Sequence, residues 1–198
     1  MQTLKKSFAA GMMIAVGAAV YLSCENKIVG SLLFSLGLFA ICSFGMFLFT
    51  GKIGYIIETK NKPNCLMIWI GNLLGSIVAS LIIRIGKPSL HTAAANLVAN
   101  KLELNLMSAM LLAFMCGILM YLAVDNFVKR PHTISGIVGI FLCVSVFILS
   151  GFEHSIADMN YFVLGITSLQ EVGQCFLFLI AVSVFNGLGS LSIKYLIS

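Results

Sequence analysis

The sequence predicts an all-α membrane protein in which six transmembrane helices form an inverted 3+3 repeat. Three observations support this fold class: the composition, the number of apolar segments, and similarities between the two halves of the chain. Of the 198 residues, 60% are hydrophobic and 10% are charged, whereas soluble domains average about 45–50% apolar and ~25% charged residues. A soluble fold of this length has too small an interior for so much apolar surface, but about 20 apolar residues already cross a bilayer.

Six apolar segments follow one another with short connections, so we expect a single transmembrane channel domain over residues 1–198. The predicted spans cover about 7–23, 28–50, 65–85, 105–124, 133–166 and 171–196. Lys5 and Lys6 precede the first segment much as charges precede the apolar part of a signal peptide. More apolar segments follow it rather than a soluble domain, so we interpret it as the first span.

The second and fifth segments carry residues that interrupt helices. The second contains CSFGMFLFTGKIG, with three glycines around Thr50, and the fifth contains LSGFEHSIADM, with Ser150 and Gly151 before two ionisable residues. Non-helical backbone is tolerated at membrane depth where it lines a cavity or is buried in protein. We therefore expect both helices to be broken and both breaks to lie near a pore.

The two halves of the chain resemble each other at similar offsets. FAAGMMIAVG in the first span resembles FMCGILMYLA in the fourth, and GNLLGS in the third resembles FNGLGS in the sixth. Thr50 and His154 occupy the breaks of the second and fifth spans. Because three spans are an odd number, a second set of three has the opposite topology, and this predicts an inverted repeat with a site near the midplane.

The distribution of basic residues predicts that both termini are cytoplasmic. With the termini on one side, eight Lys and Arg residues share that face and four lie on the other. This asymmetry follows the rule that cytoplasmic loops are enriched in basic residues. The eight are Lys5, Lys6, Lys52, Lys60, Lys62, Lys129, Arg130 and Lys194, and the four are Lys27, Arg84, Lys87 and Lys101.

Cysteines and charges outside the breaks indicate neither a metal nor a cofactor. The six cysteines fall mostly in apolar stretches without CxxC spacing, so we interpret them as small core residues. No Walker motif, ring of acidic residues or H-E-x-x-H motif is present, and an isolated Glu-His pair disfavours an enzyme. We expect no cofactor, no metal and no nucleic-acid partner.

Glu153 and His154 are adjacent ionisable residues inside an apolar segment, and such residues indicate a functional site. Neighbours on a helix point about 100° apart, so the two side chains have different roles. We expect Glu153 to be structural, accepting backbone N–H groups freed at Gly151 near the start of a helix. His154, with a reference pKa of ~6.5, is suited to give a proton or a hydrogen bond to a permeant. A buried histidine bonded to a carbonyl remains the alternative.

Three bulky apolar residues flank the predicted breaks. These are Leu48, Phe49 and Phe147, and Phe147 lies two helical turns before His154, which predicts that the two share one helical face. Constrictions of this kind exclude hydrated ions. The permeant is therefore expected to be small and either neutral or neutralised in transit.

These motifs resemble those of the formate/nitrite transporter family. SGFEHSIADM is similar to the family signature G-F-E-H-x-x-A-N-M, and FSLGLFAICSFGMFLFTG is similar to its second-span pattern ending in L-F-T. The resemblance implies an aquaporin-like arrangement of six helices and a homopentamer with one pore in each protomer. It also implies that His154 bonds to Thr50 between two hydrophobic constrictions at Leu48, Phe49 and Phe147. Asn186, as the counterpart of the family's sixth-span asparagine, is likewise expected to be a pore residue.

The chain departs from the family pattern at four positions. Phe47 replaces an acidic residue, Tyr121 replaces an asparagine, and Asp158 replaces the asparagine of the signature. A carboxylate at position 158 is suited either to favour protonation of the histidine or to cap the restarted helix. Asn105 stands where the family has a vestibule lysine, and Lys101, one helical turn earlier, is a candidate replacement.

Residues and resemblance together predict a channel or proton-coupled transporter in the cell membrane. The candidate permeants are small weak-acid anions: formate, nitrite, hydrosulfide and short carboxylates such as acetate or lactate. A bare anion crosses apolar constrictions at high cost, whereas the protonated acid crosses cheaply. The alternative is a passive aquaporin-like facilitator of water, ammonia or glycerol, in which His154 is structural and flux is independent of pH.

Overall fold

A computed structural model describes residues 1–60, 62–131 and 133–198, and within them the chain is helical with no strand. The short helix α3 continues into a 3₁₀ turn, Ile53–Ile57. The α-helices are α1 Gln2–Ser23, α2 Lys27–Ser43, α3 Phe49–Lys52, α4 Cys65–Gly86, α5 Leu90–Glu103, α6 Leu106–Lys129, α7 Ile134–Leu149, α8 Ser155–Gly165 and α9 Leu169–Ile197.

Four of the described helices are long and apolar enough to cross a membrane: α1, α4, α6 and α9. The apolar helices α2 and α7 are shorter, because each ends before its apolar segment does. Large apolar side chains cover the outside of the bundle, and Leu177 on α9 is 71% exposed. A surface of this kind suits a hydrocarbon solvent.

Close helix packing depends on glycine at the two main contacts of the bundle. The helix α1 packs on α4, and α6 packs on α9. A Cβ atom at Gly75 would lie 1.9 Å from the Phe8 carbonyl oxygen, and one at Gly189 would lie 2.0 Å from that of Phe114. Only glycine allows the backbones to approach so closely, as at many membrane helix interfaces.

The helix α5 lies in the region between the third and fourth predicted spans, which we expected to be a short connection. That expectation was wrong because the segment contains His91, Asn and Lys residues and is not an apolar run. Its periodicity was nevertheless informative. Leu90, Ala94 and Val98 are buried at intervals of four residues and form one apolar face. This face packs α5 against α8 and brings Lys101 into the interior.

Candidate functional site at two helix interruptions

The helices α2 and α7 end in the same backbone geometry. Gly45 has φ +60° and Gly151 has φ +67°, a left-handed conformation that glycine adopts at little cost. The Met46 N–H donates to the Ile41 carbonyl at 2.9 Å, and the Phe152 N–H donates to the Phe147 carbonyl, also at 2.9 Å. We call residues 44–48 the first interruption and residues 150–154 the second interruption.

An asparagine braces the first interruption from α4. The Asn72 Oδ1 accepts the Phe49 N–H at 2.8 Å, and its Nδ2 donates to the carbonyls of Ser7 at 2.7 Å and Phe47 at 2.9 Å. Asn72 is fully buried. Its side chain therefore ties together the start of α3, the end of the interruption and α1.

Asn186 on α9 makes the same three bonds at the second interruption. It accepts the Ser155 N–H at 2.9 Å and donates to the carbonyls of Ala113 and Glu153, each at 2.8 Å. The backbone partners in the two interruptions are 106 residues apart, since 153 − 47 and 155 − 49 both equal 106. At that offset the counterpart of His154 is Leu48, not Thr50, and both residues are helix N-caps.

His154 connects the two interruptions. Its Nε2 lies 2.8 Å from the Thr50 Oγ1, and its Nδ1 accepts the Ala157 N–H at 3.0 Å. Because Nδ1 is an acceptor, the proton of the neutral ring is on Nε2, which donates to Thr50. His154 therefore caps α8, and a proton added to Nδ1 would break that cap. Thr50 and His154 are both buried, at 0% and 2% exposure.

Two cavities approach this pair. Cavity 1, of about 280 Å³, is lined by Phe147, His154, Lys101 and neighbouring residues, and cavity 2, of about 90 Å³, is lined by Leu48 and residues around it. The Phe147 ring stacks on the His154 ring, with centroids 5.3 Å apart and an interplanar angle of 26°. This contact arises because the chain turns at the second interruption, and not because the two residues share one helical face.

Four of the predicted site residues line neither cavity in the described part of the chain: Thr50, which reaches cavity 1 through its bond to His154, and Asn186, Phe49 and Asn105. Asn186 is fully buried as the brace of the second interruption. Phe49 lines a separate apolar cavity with Trp69 and residues of α9. Asn105 is exposed and caps α6 through the Met107 N–H, while Lys101 lines cavity 1.

A buried charge cluster forms one wall of cavity 1. The Lys101 Nζ contacts the Glu153 Oε2 and lies 2.9 Å from the Asp158 Oδ1. The sequence had suggested that the Glu153 carboxylate accepts freed backbone N–H groups. In the structure it pairs with Lys101 instead. Asp158 likewise binds Lys101 and does not cap α8, because His154 provides the cap.

A second polar cluster, not foreseen from the sequence, joins α6 to the 3₁₀ turn that follows α3. Asp125 on α6 accepts hydrogen bonds from the hydroxyl groups of Tyr55, at 3.0 Å, and Tyr121, at 3.3 Å. It also pairs with Lys129 at 2.7 Å. Tyr121, at the position where an asparagine was expected, thus belongs to a charge-balanced network. The i, i+4 spacing of Tyr121, Asp125 and Lys129 was the available sequence signal.

Known proteins resemble the chain over its full length in structure. An FNT family ion channel superposes with a TM-score of 0.84 at 21% identity, covering 98% of this chain and 89% of that one. A structure described as a pentameric formate channel with formate bound gives a TM-score of 0.77 at 23% identity, covering 98% of this chain and 92% of that one. These likenesses confirm the all-helical membrane fold.

Sequence comparisons agree with the structural ones. The formate channel FocA of Haemophilus influenzae is 26% identical over 185 residues, which are 79% of this chain and 64% of that protein. The chain thus spans less than two thirds of the length of that relative. The model of the formate/nitrite transporter family matches residues 1–197. The chain belongs to the formate/nitrite transporter family.

Proposed function

We propose that the protein is a membrane channel or proton-coupled transporter for small monovalent weak-acid anions. The candidates are formate, nitrite, hydrosulfide and short carboxylates. The names of the family and of its relatives support this class. The observation that carries the proposal is the buried Thr50–His154 hydrogen bond between cavity 1 and cavity 2.

The proposed path runs from cavity 1 past Phe147, across the Thr50–His154 pair, and past Leu48 into cavity 2. Phe147 and Leu48 are 3% and 2% exposed, so little of either side chain is in contact with water. A bare anion loses its hydration there at a high cost in free energy, and a neutral acid does so at a much lower cost. The permeant therefore crosses the constrictions in its protonated form.

The hydrogen bonds of His154 define what the pair offers to a permeant. The ring is neutral, and its Nε2–H is already donated to Thr50. The Thr50 hydroxyl, which accepts that bond, has its own hydrogen to donate to an oxygen or sulfur atom on the path. We propose that His154 positions Thr50 and that Thr50 is the hydrogen-bond donor to the permeant.

The same proposal includes six spans in an inverted 3+3 repeat, with α2–α3 and α7–α8 as its broken second and fifth spans. The matched braces of Asn72 and Asn186 support it. The structural neighbour described as pentameric supports a homopentamer with one pore in each protomer. The distribution of basic residues supports cytoplasmic termini in a multi-pass inner-membrane protein.

Flux into liposomes that contain a pH dye tests the proposal. Wild type is compared with His154→Phe and Thr50→Val at about pH 5.5 and about pH 7.5, on either side of the ~6.5 reference pKa of histidine. His91→Gln is the matched control, because His91 bonds to the Leu164 carbonyl outside both cavities.

We expect wild type and His91→Gln to move at least one of formate, nitrite, hydrosulfide and acetate, faster at the lower pH. Both pore variants should lose most of that flux. Flux of neutral solutes that is independent of pH and equal in all four proteins would instead support the passive facilitator. Anion flux no faster than in empty vesicles would contradict the proposal.

A further inference from the structure

The charge cluster at cavity 1 contains two carboxylates and one ammonium group. Glu153 and Asp158 both contact the Lys101 Nζ, and the three side chains are 4%, 1% and 11% exposed. The other described ion pairs are balanced one to one, as in Lys129 with Asp125. If all three groups of the cluster were ionised, a net charge of −1 would be buried beside the path.

Asp158 has a further unusual feature. Its Oδ2 is buried and has no hydrogen-bond partner among the described residues. A buried ionised carboxylate oxygen without a partner is costly, and so is an uncompensated buried charge. Adding one proton to the carboxylate pair removes the net charge.

Other titratable groups near the pair do not change this balance. Phenols and thiols are neutral near pH 7 by their reference pKa values, and His154 is neutral by its hydrogen bonds. The groups that face Asp158 or line cavity 1 are Tyr21 on α1, Lys101 on α5, Cys116 on α6, Glu153, His154 and Tyr161 at and after the second interruption, and Cys175 on α9.

We propose that Glu153 and Asp158 share one proton at neutral pH and that this pair loads the permeant with a proton in cavity 1. The loading step rests on the proposed transport function. A bare anion would be repelled by a cluster of charge −1 but not by a neutral one, and both carboxyl groups line the cavity that it enters.

The proton balance of the step is simple. The O–H bond of the carboxyl group breaks, and its proton binds to an oxygen or sulfur atom of the anion. The pair becomes doubly ionised, and the neutral acid moves on past Phe147. The pair then recovers a proton from hydronium or a protonated buffer of the solution that reaches cavity 1. An asparagine at position 158, as in the family signature, would leave a balanced Lys101–Glu153 pair without this proton. Asp158 is thus the residue that creates the site.

Infrared spectroscopy of the protein in vesicles tests the shared proton independently of transport. Asp158→Asn keeps the side-chain shape and the Lys101–Glu153 contact, and Asp125→Asn is the control in a balanced pair. At about pH 7, well above the reference pKa of a carboxyl group of ~4, wild type and Asp125→Asn should show the C=O stretch of a protonated carboxylic acid, with its shift in D₂O. Asp158→Asn should lack it. Absence of the band from wild type, or its persistence in Asp158→Asn, would overturn the proposal.

Anion flux of the same proteins tests the loading step. Asp158→Asn should slow formate flux by about tenfold or more at about pH 7.5, less than the roughly 100-fold or more that a positioned acid typically contributes, because the solution also supplies some neutral acid. The difference should narrow at about pH 5.5, where the solution supplies more neutral acid. An unchanged flux in Asp158→Asn would overturn the loading role. A wild type that moves no anion but keeps the band would contradict the transport function and support the shared proton.

Discussion

The first and second interruptions share a backbone and differ in the side chains that follow it. Each has a glycine with positive φ, at 45 and 151, and each is braced by a buried asparagine from a long helix, at 72 and 186. The next positions differ. Phe47 and Leu48 occupy the first interruption, whereas Glu153 and His154 occupy the second.

The charged groups that surround the two interruptions also differ. The ammonium groups of Lys6 and Lys52 lie 5.2 and 5.4 Å from the centre of the Phe47 ring. At the second interruption, Lys101 is paired with a carboxylate instead. Backbone geometry is therefore fixed by glycine and asparagine, while the residues between them determine the chemistry. One interruption carries apolar side chains, and the other carries the ionisable groups.

The largest effect is expected from removing either brace. Asn186→Ala leaves three buried backbone groups without this partner. Asn72→Ala also leaves three, of which the Phe47 carbonyl is partly buried. Each such group costs about 1–3 kcal/mol, so the free energy of unfolding should fall by about 3 kcal/mol or more in both variants. Unfolding in detergent micelles, by heat or denaturant, measures this loss.

Asn26→Ala is the matched control, because Asn26 caps α2 at an exposed position. Loss of a helix cap costs about 1 kcal/mol. A large loss in Asn186→Ala combined with a loss in Asn72→Ala no greater than that of the control would contradict the equivalence of the two braces.

The sequence indicated the residues near which α2 and α7 end, but not the partners of the side chains that follow. The glycines near Thr50 and His154, and the asparagine in each half, are local signals that can be recognised in a single sequence. The partner of Glu153 was misjudged because Lys101 lies 52 residues earlier, on α5. In the sequence, the signal for that helix was three apolar residues spaced by four, which the structure shows to be buried. Asn186 was expected in the pore because composition alone does not distinguish a polar group that lines a path from one that binds freed backbone.

A smaller effect is expected from the two glycines with positive φ. A Cβ at Gly151 would meet nothing within 4 Å, and one at Gly45 would meet only the Lys6 Nζ at 3.8 Å. Substitution therefore tests conformation alone. Gly45→Ala and Gly151→Ala should each lower the free energy of unfolding by about 1–2 kcal/mol.

Asparagine tolerates the left-handed region better than alanine does. Gly45→Asn and Gly151→Asn should therefore be less destabilised than the alanine variants in the same unfolding experiment. Equal losses for alanine and asparagine at one site would show that the glycine there is needed for a reason other than its φ angle, and the two interruptions would differ in backbone as well.

The smallest effect is expected at Phe47, where the side chain is predicted to be free to vary. Phe47→Leu removes two contacts between an ammonium group and a ring, each worth about 0.5–1 kcal/mol when exposed, but keeps much of the apolar volume. Phe47→Glu gives the first interruption an acidic residue between Lys6 and Lys52, and exposed ion pairs contribute about 0–1 kcal/mol. Both variants should unfold within about 1 kcal/mol of wild type.

Salt distinguishes the two variants at Phe47. Added salt screens exposed charges, so it should destabilise Phe47→Glu relative to Phe47→Leu when both are unfolded in micelles at low and high ionic strength. A loss of several kcal/mol in either variant would mean that Phe47 helps to hold the backbone of the first interruption. The separation between a scaffold of glycine and asparagine and the variable chemistry placed on it would then hold only at the second interruption.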